Sequence, residues 1–134
     1  MSTTSRIGII NTKDKTIKSV YCHWDGYPEH NGEILAKNYT KRADVEALIE
    51  MGNISSLAGD SSECVFFGRD RGEYGQDADI CNSLSETDGF TEAYFYVMDE
   101  TDQWCVSKYP HHLRNPFVSL NEVIKEVTNR KKLG

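Results

Sequence analysis

Short alternating stretches and two helix-spaced stretches set out the elements of this chain. Arg6-Ile7-Gly8-Ile9-Ile10 is an apolar strand, and Thr16-Ile17-Lys18-Ser19-Val20-Tyr21-Cys22 is rich in β-branched and aromatic residues. The polar run Asn11 to Lys15 between them predicts an antiparallel hairpin over 6–11 and 16–24. Glu33 to Tyr39 predicts a short helix. A second helix runs from Lys41 to Met51, with Val45, Leu48 and Ile49 on one face, Thr40 as its cap and Gly52 as its stop. Residues 53–59 read as a loop anchored by Ile54 and Leu57, and Cys64 to Phe67 as a short strand.

Thr91 to Met98 is the strongest strand signal. Tyr94, Tyr96 and Met98 fall on one face and Ala93, Phe95 and Val97 on the other, so both faces are apolar and the strand belongs at the centre of a sheet. Gln103 to Tyr109 returns as its hairpin partner and Pro110 ends it. Ser119 and Glu122 form a capping box ahead of a C-terminal helix, with Leu120, Val123, Ile124 and Val127 as its apolar stripe. These elements predict one α+β domain over residues 1–134. Its core is an antiparallel sheet of about four to six strands, with two helices from the N-terminal half and one C-terminal helix on one face.

The chemistry concentrates at Tyr21-Cys22-His23-Trp24-Asp25-Gly26-Tyr27-Pro28-Glu29-His30-Asn31-Gly32. Asp25-Gly26 is a turn dipeptide in which Gly accepts positive φ, and Pro28 pushes Tyr27 towards extended geometry. Trp24 and Tyr27 therefore flank a change of direction at a strand end, where they either close the core or offer contact area. Arg69 and Arg71, two residues apart in a Gly-rich loop, would point the same way on a strand and suit a phosphate or carboxylate; otherwise they neutralise Asp70, Glu73 and Asp77. If the two loops meet, His23, Trp24, Asp25, Tyr27, Arg69 and Arg71 form a ligand site. Aromatics there would stack on a base and the guanidiniums would hold phosphates.

Composition narrows the functional classes. The net charge of −6 argues against nonspecific nucleic-acid binding. From Asp77 to Asp102 there are eight acids and no Lys or Arg, which is either a solvated face or a surface for a basic partner. No apolar run is long enough to span a membrane, and no signal-peptide core is present. Cys22, Cys64, Cys81 and Cys105 are widely spaced, which predicts reduced, buried thiols rather than a disulfide framework or a zinc site. His111-His112 diverge on extended chain and make no metal pair alone. No phosphate-binding loop or nucleophile elbow occurs, and no cofactor or metal is expected. A hydrolytic role for His23, Asp25 or Glu29 rests on their closeness in sequence alone.

The 21–32 stretch, with Gly-Asn-Ile-Ser-Ser-Leu (52–57), Phe-Phe-Gly-Arg-Asp-Arg-Gly-Glu (66–73) and the later Tyr-Phe-Tyr and Trp104, resembles a family of small proteins from bacteriophage and prophage genomes. The resemblance covers about residues 6–109. It implies an accessory protein in the bacterial cytoplasm that binds a host component, such as part of an antiviral defence. The favoured target is a nucleotide-like small molecule or a host protein. The alternatives are an acidic-surface protein inhibitor and a small hydrolase.

Overall fold

The computed structural model describes residues 3–82, 90–108 and 116–133, and the side chains of these up to Asn129. The expected strand end at Tyr109 and Pro110 and the His111-His112 pair lie outside the described residues, as do Glu86 and Asp88 of the acidic run.

The hairpin forms as the pattern predicts. Strand β1 (Ser5–Ile10) pairs antiparallel with β2 (Ile17–Cys22), from Ser5 opposite Cys22 to Ile10 opposite Ile17. Asn11 makes the turn, its side-chain oxygen accepting the amides of Lys13 and Asp14. Two further short strands flank β2. At its C-terminal end Cys22 pairs with Ile54 of the parallel strand β3 (Ile54–Ser56), which pairs antiparallel with β4 (Val65–Phe66). At its N-terminal end β2 takes β5 (Asp79–Cys81), antiparallel. On the other side β1 runs parallel to β6 (Tyr94–Met98), which continues antiparallel to β7 (Trp104–Lys108) and then β8 (Val118–Ser119).

Among the described residues the sheet is therefore mixed and eight-stranded, in the order β4-β3-β2-β1-β6-β7-β8 with β5 beside β2. This corrects the expectation of a purely antiparallel sheet of four to six strands. Strands of two or three residues are too short to show a period of two, so residues 54–56, 79–81 and 118–119 gave no strand signal. The parallel β2–β3 pair follows from the helices between them, since parallel neighbours need a long crossover.

The expected helices are present. A π-helical turn, Pro28–Gly32, runs into α1 (Glu33–Asn38), followed by α2 (Arg42–Glu50) and, at the end of the chain, α3 (Leu120–Leu133). Two terminal details differ. Lys41 rather than Thr40 occupies the N-cap of α2, without a side-chain cap, and Ser119 is the last residue of β8. Gly52 stops α2 as expected, at φ +85°, where a Cβ would lie 2.4 Å from the Gln76 carbonyl oxygen.

The three helices share one core. Leu35, Val45, Leu48, Ile49 and Leu120 pack with Ile7, Val20, Tyr96 and Met98. Each such buried side chain contributes on the order of 1.5–3 kcal/mol. The other sheet face holds Ile10, Ile17, Phe95 and Val97, with Phe90 and Phe117 partly buried against them. The two apolar faces of β6 thus serve two different clusters, and the strand is central.

Candidate functional site

The 21–32 stretch divides into a buried frame and an exposed rim. After Cys22, the amides of His23 and Trp24 donate to the carbonyls of Ile54 and Ser55, extending the pairing with β3. The chain then turns sharply. Asp25, at φ +56°, takes the left-handed conformation that the sequence reading gave to Gly26. Gly26 is needed for space instead: a Cβ there would sit 2.8 Å from the Thr4 carbonyl and 2.9 Å from that of Thr3. Its amide donates to the Thr3 carbonyl and its own carbonyl accepts the Tyr96 hydroxyl at 2.6 Å. Asn31 is fully buried, and its side-chain amide donates to the Trp24 carbonyl and to the Cys22 sulfur. Burial pushes the Cys22 thiol up to about 12, so it stays protonated and is no nucleophile beside His23.

On the rim, Trp24 is 47% exposed, with its ring edge-on to His23 at 4.7 Å between centroids. Nδ1 of His23 shares a 2.6 Å hydrogen bond with the Tyr21 hydroxyl. The Tyr27 hydroxyl donates to Asp25 at 3.4 Å, and the Asp25 charge raises the Tyr27 pKa. Among the described residues no hydrogen bond joins His23, Asp25 and Glu29 to one another, so no proton relay links the three.

No described hydrogen bond, ion pair or ring contact ties Arg69 or Arg71 to this rim. The chain leaves β4 past Ile54 towards Asn53 and Gln76, opposite in direction to its exit from β2. Arg69 turns back onto its own loop, donating to the Ser61 carbonyl at 3.1 Å, the Cys64 carbonyl at 2.8 Å and the Asp70 carboxylate at 3.0 Å. The hydrogen bond with Asp70 raises the Arg69 pKa and lowers that of Asp70. Asp70 in turn accepts the Phe66 amide. Arg71 pairs with Glu73 at 3.2 Å over the Phe67 ring. The loop is a compact turn rather than a strand, so the two guanidiniums serve different partners. Among the described residues no hydrogen bond, ion pair or ring contact joins the two loops.

The acidic run is also largely engaged. Arg6, 4% exposed, donates to Asp79 at 2.8 Å, to Glu92 at 3.4 Å and to the Ser19 hydroxyl at 3.0 Å, and its guanidinium lies 4.1 Å from the Phe90 ring centroid. Lys15 pairs with Glu100 and Arg42 with Asp102, while Asp99 accepts the amides of its own turn.

A second feature was not read from the sequence. A groove of about 650 Å³ opens between the π-helical turn, strands β6 to β8 and α3. Pro28 and Glu29 form one wall, so the 21–32 stretch reaches it through these two residues. Tyr94, Val106 and Val118 lie along the sheet side; Val123, Glu126 and Val127 come from α3, and Lys108 and Pro116 complete the lining. The Lys108 ammonium is 5.9 Å from the Tyr94 ring centroid. The apolar stripe of α3 was a usable signal. Leu120 is fully buried, but Val123, Ile124 and Val127 are only half-buried, because part of the stripe faces this groove instead of the core. Among the described residues the Tyr94 hydroxyl and the Glu29 carboxylate have no hydrogen-bond or ion-pair partner.

Among the described residues no group of three or more His, Cys, Asp or Glu side chains is placed to hold a metal ion. No described helix is long and apolar enough to cross a membrane. The four cysteines are free, three of them buried. No protein-family model, curated protein or solved structure matches the chain.

Proposed function

We propose that this protein acts by binding, as a small phage-type accessory protein that sequesters or inhibits a component of the bacterial host cytoplasm, with a nucleotide-like small molecule as its ligand. The observation that carries this reading is the groove. Its volume lies within the roughly 300–1,000 Å³ of small-molecule sites. It combines apolar walls with one aromatic ring and a few polar groups, which is the usual make-up of a ligand seat.

The groove is a better seat than the rim with Arg69 and Arg71, because Arg69 donates to two carbonyls and Asp70, Arg71 pairs with Glu73, and no described contact joins either to the rim. Defence components of the host are the favoured source of the ligand, on the resemblance to phage and prophage proteins. The acidic-inhibitor reading has less support, since Asp79, Glu92, Glu100 and Asp102 already pair with basic side chains. The hydrolase reading lacks a connected set of proton-transfer groups.

Thermal unfolding against a panel of nucleosides, nucleotides and cyclic nucleotides tests the proposal, with mass spectrometry of each mixture afterwards. A ligand that binds only the folded state raises the melting temperature by mass action. The expected result is a rise with the ligand recovered intact. Consumption of the ligand, or no shift across the panel, would overturn it.

A further inference from the structure

Independently of the groove, we infer that Trp24 and Asp25 form a docking point for a partner protein, and that the group they take is an arginine side chain. The first observation is an exposed indole on a fixed backbone. Trp24 is 47% exposed, whereas the other tryptophan, Trp104, is buried with its indole N–H on the Tyr39 carbonyl. The backbone that carries Trp24 is pinned on both sides. The Trp24 amide donates to the Ser55 carbonyl at 3.1 Å, and its own carbonyl accepts the side chain of the buried Asn31 at 3.1 Å. The Asn31 amide donates to the Asp25 carbonyl, and the Gly26 amide to that of Thr3. A large aromatic side chain already held in place loses little entropy on meeting a partner, and Trp is enriched among the residues that dominate binding.

The charge around the indole selects the group that meets it. Asp25, Glu29 and Glu33 lie between Lys18 and Lys37 with no Lys or Arg among them. The side-chain partner of Asp25 is the Tyr27 hydroxyl at 3.4 Å, and no described cation pairs with Asp25 or Glu29. By contrast Asp70, Asp79, Glu100 and Asp102 each pair with a basic side chain. The Asp25 charge is also the first cause of the raised Tyr27 pKa. A guanidinium answers both neighbours at once: its flat face stacks on an indole, and its N–H groups match a carboxylate. An ammonium acts on the ring only as a point charge, and a neutral or anionic group leaves Asp25 without a counter-charge. The groove lining includes neither Trp24 nor Asp25, so the two surfaces are separable.

Fluorescence titration of the full chain tests the inference, because Trp24 is exposed and Trp104 is buried. Short alternating peptides of Arg-Gly, Lys-Gly, Gln-Gly and Glu-Gly serve as probes. The expected result is a saturable change in Trp24 emission with Arg-Gly, binding about twofold to fivefold weaker with Lys-Gly, and no response to Gln-Gly or Glu-Gly. Trp24→Ala and Asp25→Asn, followed by calorimetry, should each weaken Arg-Gly binding about twofold to fivefold while the melting temperature of the free protein holds. Both variants suit their positions, since Trp24 is exposed and Asn accepts the left-handed backbone of residue 25. Added salt should weaken Arg-Gly binding to the unaltered chain more than to Asp25→Asn. Lys-Gly or Gln-Gly binding as tightly as Arg-Gly, a preference for Glu-Gly, no saturable response to millimolar Arg-Gly, or Arg-Gly binding untouched by both variants would overturn the inference. The nucleotide-dependent rise in melting temperature should persist in Trp24→Ala, so failure of this inference and failure of the groove reading are read apart.

Discussion

The Tyr96 hydroxyl donates a 2.6 Å hydrogen bond to the Gly26 carbonyl, across 70 residues of sequence. That bond ties the central strand β6 to the turn that starts the functional stretch. Tyr96 is fully buried, and burial raises its pKa, so the phenol remains a donor through the physiological range. Tyr96→Phe leaves the Gly26 carbonyl without this donor. The expected loss is about 1–3 kcal/mol, read by urea denaturation at neutral pH.

Gly26 should tolerate nothing larger. An added methyl group would meet backbone carbonyls at 2.8 and 2.9 Å, and backbone cannot move aside as a side-chain end can. Gly26→Ala is expected to cost about 1–3 kcal/mol or more from overpacking. Gly72 makes the contrast: its φ is +66° and nothing lies within 4 Å, so Gly72→Ala carries only backbone strain of about 1–2 kcal/mol. Parallel denaturation curves for the two variants check the ranking.

Arg6 is the buried cation of the sheet. Removing it leaves Glu92, whose side chain is 14% exposed and whose second oxygen is buried without a partner, facing no compensating charge. Arg6→Met should therefore cost about 3–5 kcal/mol. Glu92→Gln in the Arg6→Met background should recover part of that loss, because it removes the uncompensated charge. A double-mutant cycle by chemical denaturation measures the coupling.

The fold was legible wherever an element was long enough to show its period. The β1–β2 hairpin, α1, α2, the two-faced β6 and its partner β7 all follow from alternation or helical spacing. The parallel pairings were not legible, because they depend on which strands meet across the sheet. Within the 21–32 stretch, residue types alone did not separate frame from rim. Asn31 reads as a turn residue, yet it is buried and holds the Trp24 carbonyl. Arg69 and Arg71 look alike in sequence, and only the local fold shows each bound to its own loop. The groove draws on five elements, from the π-helical turn at Pro28 to α3 at Val127, so its one linear trace was the apolar stripe of α3.

The thiols give a pH-dependent prediction. Burial raises the folded-state Cys22 pKa from 9.0 to about 12. The sign follows from linkage: the unfolded chain loses this proton at lower pH than the folded one. The stability Cys22 contributes is therefore full below pH 9 and is lost as pH rises from about 9 to 12. Cys22→Ser should flatten that decline, as followed by denaturation across the alkaline range. Under native conditions near pH 8, alkylation should reach the half-buried Cys105 before Cys22, and mass spectrometry of the labelled peptides reads the order.

Chemical-shift mapping tests the central claim most directly. The nucleoside or nucleotide that raises the melting temperature most would be titrated into ¹⁵N-labelled protein and the perturbed amides assigned. Binding in the groove predicts perturbations clustered at Glu29, Tyr94, Val106 and Val123, with Arg69 and Arg71 unmoved. Perturbations centred on Trp24 together with Arg69 and Arg71, or a spectrum unchanged at saturating ligand, would contradict it.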